Sequence, residues 1–135
     1  MKRRGLLLIA FLVPAFVLAQ TGASPVKSET LLSSTSSWDG TPYRSYPLSQ
    51  PQITVLKITL APHTTMKWHS HPMPNAAYVV CGDLTVEKKD GTRKHFTAGQ
   101  VVGEVVETVH RGITGDQGVV LIVFYPGTPG MPLSH

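Results

Sequence analysis

Apolar and polar residues alternate over short stretches from about residue 53 onward. Leu56, Ile58 and Leu60 alternate with Lys57 and Thr59, which is the two-residue period of a strand with one buried face. Further short runs rich in Val, Ile and Thr follow, and no long stretch has the period of a helix. The pattern therefore predicts an all-β domain.

Two dipeptides that accept tight-turn geometry divide these apolar runs. Gly82-Asp83 and Asp90-Gly91 each lie between two such runs, and each predicts a hairpin between antiparallel neighbours. The flanking strands are expected at 78–81, 84–89 and 92–96, and further strands at about 100–105, 109–114 and 118–125. The Pro- and Gly-rich stretch from Pro126 to Pro132 is not expected to join a central sheet.

Strands this short leave many unpaired edges unless they close or stack. A single small β-barrel or a double-sheet jelly roll over residues 53–126 hides those edges and is the predicted architecture. Residues 20–52 are rich in Ser, Thr, Pro and Gly, with Leu31, Leu32 and Trp38 as isolated apolar positions. They predict an extended N-terminal arm packed onto the barrel, and residues 127–135 form a C-terminal tail.

The first residues resemble an export signal. Lys2, Arg3 and Arg4 form a basic start, an apolar run from Leu6 to Leu18 follows, and small residues precede Gln20. Residues 1–19 are therefore interpreted as a cleaved signal peptide, and the protein is expected to be periplasmic or extracellular. The apolar run is short and contains Pro14, so no permanent membrane span is expected after cleavage.

Charge and cysteine content exclude several classes of protein. The chain has twelve basic and eight acidic residues, and loss of residues 1–19 leaves nine basic against the same eight acidic. A nearly neutral mature chain without a basic patch gives no support for a nucleic-acid partner. Cys81 is the single cysteine, so an intramolecular disulfide is excluded. About 115 mature residues are typical of one domain.

Three histidines carry the most specific chemical signal. His69 and His71 are separated by one residue, so on an extended chain their side chains point to the same face. His110 follows in another short apolar stretch. A third imidazole from a distant strand would complete a three-nitrogen site that leaves positions open for water or substrate. The trio predicts a divalent transition metal, namely Fe, Zn, Cu, Ni or Mn.

The spacing of these residues resembles the two motifs of the cupin superfamily, G-x5-H-x-H-x3-E-x6-G and G-x5-P-x-G-x2-H-x3-N. His69, His71 and Gly82 match the first motif, and Gly99 and His110 match the second. Other motif positions differ. They hold His63 and Asn75 in the first motif and Val105, Glu107 and Thr114 in the second. The resemblance implies a cupin barrel, a metal held by the three histidines, and a homodimer as a possible assembly.

The position of the usual cupin glutamate is held by Asn75, which offers a neutral amide oxygen instead of a carboxylate. Asn75 is therefore one candidate fourth ligand. Glu104, six residues before His110, is the alternative carboxylate, either as a ligand or as a group that transfers protons. Glu107 is a weaker candidate. His63, His95 and His135 are expected on the surface, outside the site.

Two functions remain open, together with a structural one. The first is a metal-dependent enzyme acting on a small organic molecule, with oxygenase-like chemistry favoured and Glu104 as its proton acceptor. The second is a non-catalytic module that binds or senses a metal or small ligand. The third is an oligomerisation unit in which the arm pairs across two subunits. The fold alone does not choose between them.

Overall fold

The structure is a computed structural model that describes residues 25–135. The predicted signal peptide and residues 20–24 of the arm lie outside the described residues. Within 25–135 the chain forms six strands and no helix. The strands are β1 (Gln52–Leu60), β2 (Ala76–Lys88), β3 (Arg93–Thr97), β4 (Val101–Gly103), β5 (His110–Ile113) and β6 (Val119–Gly127). The expectation of an all-β fold is confirmed, and no helix in this range is long and apolar enough to span a membrane.

Strand β2 organises two antiparallel sheets. Its first half pairs with β6 on one side and β4 on the other, and β6 pairs with β1. Its second half pairs with β3 and β5. The two sheets therefore share β2, as expected for a double-sheet arrangement. No pairing among the described strands joins β1 to β3, so the main-chain ladder does not close the predicted barrel.

The hairpin predicted at Gly82-Asp83 is wrong. β2 runs through this dipeptide for thirteen residues, and its register against β6 shifts between Val79 and Cys81. Gly82 has a φ of 77°, a conformation that glycine adopts without the penalty of a side chain. The glycine thus marks the place where β2 passes from one sheet to the other. Asp90-Gly91 does form the predicted turn, and Lys88 N donates to Thr92 O at 2.9 Å.

The core consists of inward-facing residues from both sheets. Along β6, the buried residues alternate with more exposed ones, which is the period of a strand with one covered face. The buried apolar cluster comprises Met73, Ala77, Val79, Leu84, Val86, Phe96, Val102, Val119, Leu121, Val123 and Tyr125. The cluster is apolar on most sides, so the polar side chains that reach its edge are conspicuous.

The N-terminal arm lies against β4 and the residue that follows it. Trp38 N donates to Gly103 O at 2.8 Å, and the Tyr43 hydroxyl donates to Glu104 O at 3.0 Å. Asp39 Oδ2 lies 2.9 Å from Lys88 Nζ at the end of β2. The arm therefore contacts both sheets and fixes the backbone at Glu104.

The Asp39–Lys88 pair makes arm docking sensitive to acid. Burial raises the pKa of Asp39, but hydrogen bonds from Ser37 and Lys88 outweigh burial and hold that pKa well below its usual range. A carboxyl with a lowered folded-state pKa stabilises the fold above its unfolded pKa, and this contribution is lost as the pH falls. We expect Asp39→Asn to lower the urea midpoint at pH 7. The two midpoints should begin to converge below about pH 4 and approach each other further as the pH falls toward the folded-state pKa of Asp39.

Asp116→Asn is the matched control, because its side chain is 94% exposed beside His63. At pH 7 and at pH 2, this control is expected to have the same urea midpoint as wild type. A difference between wild type and Asp39→Asn that stays constant from pH 7 to pH 2 would contradict the role of the ionised pair.

Candidate metal centre

His69 and His110 are brought together by main-chain pairing. Each donates its backbone N–H to the carbonyl of the other at 2.9 Å, which forms an isolated antiparallel bridge between residues 41 positions apart. Directly opposed residues in such a pair carry their side chains on the same face. The two imidazole rings accordingly lie with centroids 4.6 Å apart.

His71 completes the group two residues after His69. Its ring centroid lies 5.0 Å from that of His69 and 5.1 Å from that of His110. One ring nitrogen from each histidine lies within 4.8 Å of those of the other two. The structure therefore brings together the three histidines that the sequence predicts as metal ligands.

The hydrogen bonds of the three rings decide which nitrogen is free. Nδ1 of His69 bonds to Lys67 O at 2.9 Å, Nδ1 of His71 to Leu133 O at 2.7 Å, and Nδ1 of His110 to Thr108 O at 2.8 Å. A carbonyl oxygen only accepts, so each Nδ1 carries the proton. In a neutral imidazole the other nitrogen then presents its lone pair. All three Nε2 atoms are therefore available to one metal ion.

Burial keeps two of these rings neutral. It lowers the pKa of His71 to about 4, although the hydrogen bond to Leu133 O opposes this shift. Burial also lowers the pKa of His110. Neutral imidazole is the form that binds metal, so neither side chain needs to lose a proton at pH 7 before it acts as a ligand.

The C-terminal tail contributes to the site, which the sequence did not indicate. Leu133 supplies the carbonyl for His71, and the main chains of Ser70 and His135 exchange two hydrogen bonds of 3.0 and 3.3 Å. Met131 and Leu133 pack against the core cluster. The tail thus fixes both the backbone beside His71 and the orientation of its ring. No local pattern in the tail reveals this, because the contact is made by a main-chain oxygen.

Removal of residues 133–135 is expected to lower metal affinity about 10- to 100-fold, the usual effect of losing the partner that orients a histidine ligand. The measurement is a zinc titration against a competing chelator. The matched control lacks residues 134 and 135 alone, so it keeps an acceptor oxygen at Leu133 and should lose less affinity. Equal losses in the two truncated proteins would show that the Leu133 carbonyl does not matter.

Glu104 lies beside the histidine group and is close to His110. Its Oε2 is 3.4 Å from His110 Nε2, and both atoms are buried without a hydrogen-bond partner among residues 25–135. Burial raises the pKa of Glu104 to about 8. A cation placed beside this carboxyl would favour its ionised form. Glu104 Oε2 and His110 Nε2 are thus two buried electron-pair donors for which residues 25–135 supply no hydrogen-bond donor. A metal ion bound between them would satisfy both atoms.

Asn75 is placed differently from Glu104. Glu104 N donates to Asn75 O at 3.0 Å, just beyond the pairing of β4 with β2, so the two residues lie opposite each other. Glu104 lines the cavity between the histidines, whereas Asn75 does not. The Asn75 amide nitrogen donates to Met73 O at 3.2 Å. The carboxylate that lines the cavity is therefore that of Glu104. Glu104 lies opposite Asn75, which holds the position of the usual cupin glutamate.

The remaining candidates lie away from this cavity. Glu107 is exposed, as are His63, His95 and His135. His63 Nε2 lies 3.5 Å from an Asp116 oxygen, and His95 Nδ1 lies 3.2 Å from the Thr85 hydroxyl. None of these four residues lines the histidine cavity.

The cavity is small and mostly apolar. Its free volume is about 50 Å³. One water needs roughly 10–15 Å³, so an ion and a ligand of a few heavy atoms fill it. Its lining residues are Ile58, Met66, His69, His71, Ala77, Leu84, Val86, Glu104, His110, Gly112, Leu121, Val123 and Tyr125. Three imidazole nitrogens and one carboxylate in an apolar shell fit a divalent transition metal.

The comparison with protein families agrees with this geometry. Residues 56–125 match the family model described as Cupin domain. The match runs from within β1 to within β6 and includes all three histidines. The chain belongs to the cupin family. No curated protein sequence matches this cupin significantly.

Solved structures show the same fold at low sequence identity. An uncharacterised conserved protein with a double-stranded β-helix domain from Klebsiella pneumoniae is 22% identical. The match covers 79% of this chain and 99% of that one, with a TM-score of 0.51. The DMSP lyase DddQ from Ruegeria pomeroyi is 15% identical over 69% of this chain and 45% of its own, with a TM-score of 0.54.

The polyketide cyclase RemF from Streptomyces resistomycificus is 19% identical, with a TM-score of 0.53. That match covers 62% of this chain and 58% of RemF. This cupin thus spans less than two thirds of either enzyme, and the likeness to them is one of fold.

Proposed function

We propose that this protein is an exported cupin that holds a divalent transition metal through His69, His71 and His110 and catalyses metal-dependent, oxygenase-like chemistry on a small organic molecule. The observation that carries the proposal is the hydrogen-bond pattern that the three rings share. Every Nδ1 is held by a backbone carbonyl, so every Nε2 is left for the same ion. Export is supported by the basic and apolar pattern of residues 1–19.

Open coordination positions give such a metal the capacity to bind and polarise a substrate oxygen or to activate dioxygen. Glu104 is the carboxylate that lines the cavity, and we assign it to accept a proton from the bound substrate. Its backbone is fixed on both sides, by Asn75 O and by the Tyr43 hydroxyl. A carboxyl held in this way needs little rearrangement when it takes up a proton.

The rest of the cavity favours an organic substrate. Ile58, Leu121 and Val123 form part of an apolar wall beside the histidines. Met66 and Leu84 also line the cavity, next to Gly112. Apolar side chains exclude water from the reacting groups and strengthen the electrostatic interactions among them. A small molecule with an oxygen-bearing end toward the histidines and a hydrocarbon end toward the apolar wall fits this cavity.

The test is turnover by the metal-loaded protein on phenols, diketones, organic acids and DMSP, with oxygen consumption recorded. Glu104→Gln is expected to retain metal and to lose turnover about 100-fold or more, the usual range for removal of an acid–base group. Glu107→Gln, at an exposed position, is the matched control and should keep full activity. Full turnover in Glu104→Gln would remove Glu104 from the mechanism.

The second candidate is a cupin that binds a metal or small ligand without turnover. The small cavity favours it, because a volume of about 50 Å³ leaves little room for a substrate beside an ion. Stoichiometric metal together with no reaction on the whole panel would replace the enzymatic proposal by this one.

A further inference from the structure

Tyr125 lines the cavity, and the proposed function gives its hydroxyl group no role. It lies on β6 and is only 5% exposed, with its ring centroid 5.7 Å from that of His71. Its hydroxyl has no hydrogen-bond partner among residues 25–135 and is not one of the buried atoms that lack a partner, so it is accessible from the cavity that Tyr125 lines. A hydroxyl that is accessible in a cavity offers a donor and an acceptor to a ligand held there.

The charges around Tyr125 define the kind of ligand. The three histidines bind a divalent ion as neutral groups, and Glu104 contributes at most one negative charge. The metal-loaded cavity is therefore net positive and attracts an anion. Tyr125, whose ring lies beside that of His71, adds a hydroxyl donor to the cavity lining. The apolar wall of Ile58, Leu121 and Val123 accommodates the hydrocarbon part of a ligand.

We propose that Tyr125 is a specificity-determining residue that donates a hydrogen bond to the second oxygen of a short aliphatic carboxylate whose first oxygen is held by the metal. This inference rests on the proposed function, because it needs the metal in place. It adds the chemical class of the ligand, an organic acid of a few heavy atoms. The free volume of about 50 Å³ favours a short acid over an aromatic acid such as benzoate.

The experiment uses the full chain loaded with Co²⁺, whose visible absorption reports ligands that bind to the metal. Acetate is the probe that has a second acceptor oxygen. Methanethiolate is the matched ligand, because it binds through one sulfur and offers no second acceptor. Tyr125→Phe is expected to bind Co²⁺ and methanethiolate as wild type does, and acetate about tenfold more weakly. Tyr78→Phe, outside the cavity, should leave all three unchanged.

Each other outcome overturns part of the account. Equal acetate affinity in wild type and Tyr125→Phe would overturn the assignment of Tyr125 and leave the metal site intact. Equal losses for acetate and methanethiolate would show damage to the cavity and would overturn it as well. Binding of benzoate to wild type as tightly as acetate would contradict the preference for a short acid. Failure of the wild-type protein to bind Co²⁺ would overturn the proposed function and, with it, this inference.

Discussion

Substitution of His110 by glutamine is expected to lower zinc affinity by more than about 100-fold, beyond the range for the loss of a ligand's hydrogen-bond partner. His110 is 1% exposed, and its buried Nε2 has no hydrogen-bond partner in the described part of the chain, residues 25–135. Glutamine is the better test than alanine, because it fills most of the ring's volume and limits the effect of a cavity. A chelator-competition titration gives the affinity of both proteins.

The same substitution has a second readout in stability. At a free zinc concentration 100 times its dissociation constant, the wild-type unfolding free energy should rise by about 2.7 kcal/mol. His110→Gln should show almost none of this gain. The matched control is His95→Gln, at an exposed position on β3, which should gain as much as wild type. An affinity within a few-fold of wild type in His110→Gln would contradict ligation by this residue.

Gly82→Ala is expected to destabilise the metal-free protein by about 3 kcal/mol or more, a large part of the usual stability of a domain. A Cβ at this position would lie 2.0 Å from Gly118 O and 2.9 Å from Gly118 C, both main-chain atoms. The backbone at Gly82 also has a φ of 77°, which costs an alanine about 1–2 kcal/mol. Urea unfolding measures the loss.

Gly91→Ala separates the steric clash from the backbone conformation. Gly91 has a φ of 87°, but a Cβ there would meet nothing within 4 Å. The control should therefore lose only about 1–2 kcal/mol. Equal losses at the two positions would show that the contact between β2 and Gly118 is not what requires glycine at residue 82.

Local pattern predicted most strands, and where it failed the reason is physical. The alternation of Leu56, Ile58 and Leu60 and the turn at Asp90-Gly91 depend on neighbouring residues, and both are present in the structure. Gly82-Asp83 carries the same turn signal. There, however, the positive φ of Gly82 serves a strand that changes sheets. A dipeptide cannot distinguish a reversal from a bend, because long-range pairing decides between them.

The same distinction between local pattern and long-range contacts applies to the metal site. The spacing of His69 and His71 places both side chains on one face from the local period alone. His110 was predicted as the third imidazole from another short apolar stretch, and the cupin motifs agree with it. Their convergence depends on the bridge between His69 and His110, a contact between residues far apart in sequence. The Leu133 carbonyl and the Tyr125 hydroxyl carry no such signal, since each acquires its place from tertiary packing.

The most direct test of the metal centre is the metal content of the full chain, expressed with all candidate metals supplied and purified without chelator or an affinity metal. Elemental analysis should be run in parallel on the double variant His69→Ala/His71→Ala. We expect close to one divalent transition metal ion per chain in wild type and almost none in the variant. No metal in either protein, or equal metal in both, would contradict the assignment of the three histidines.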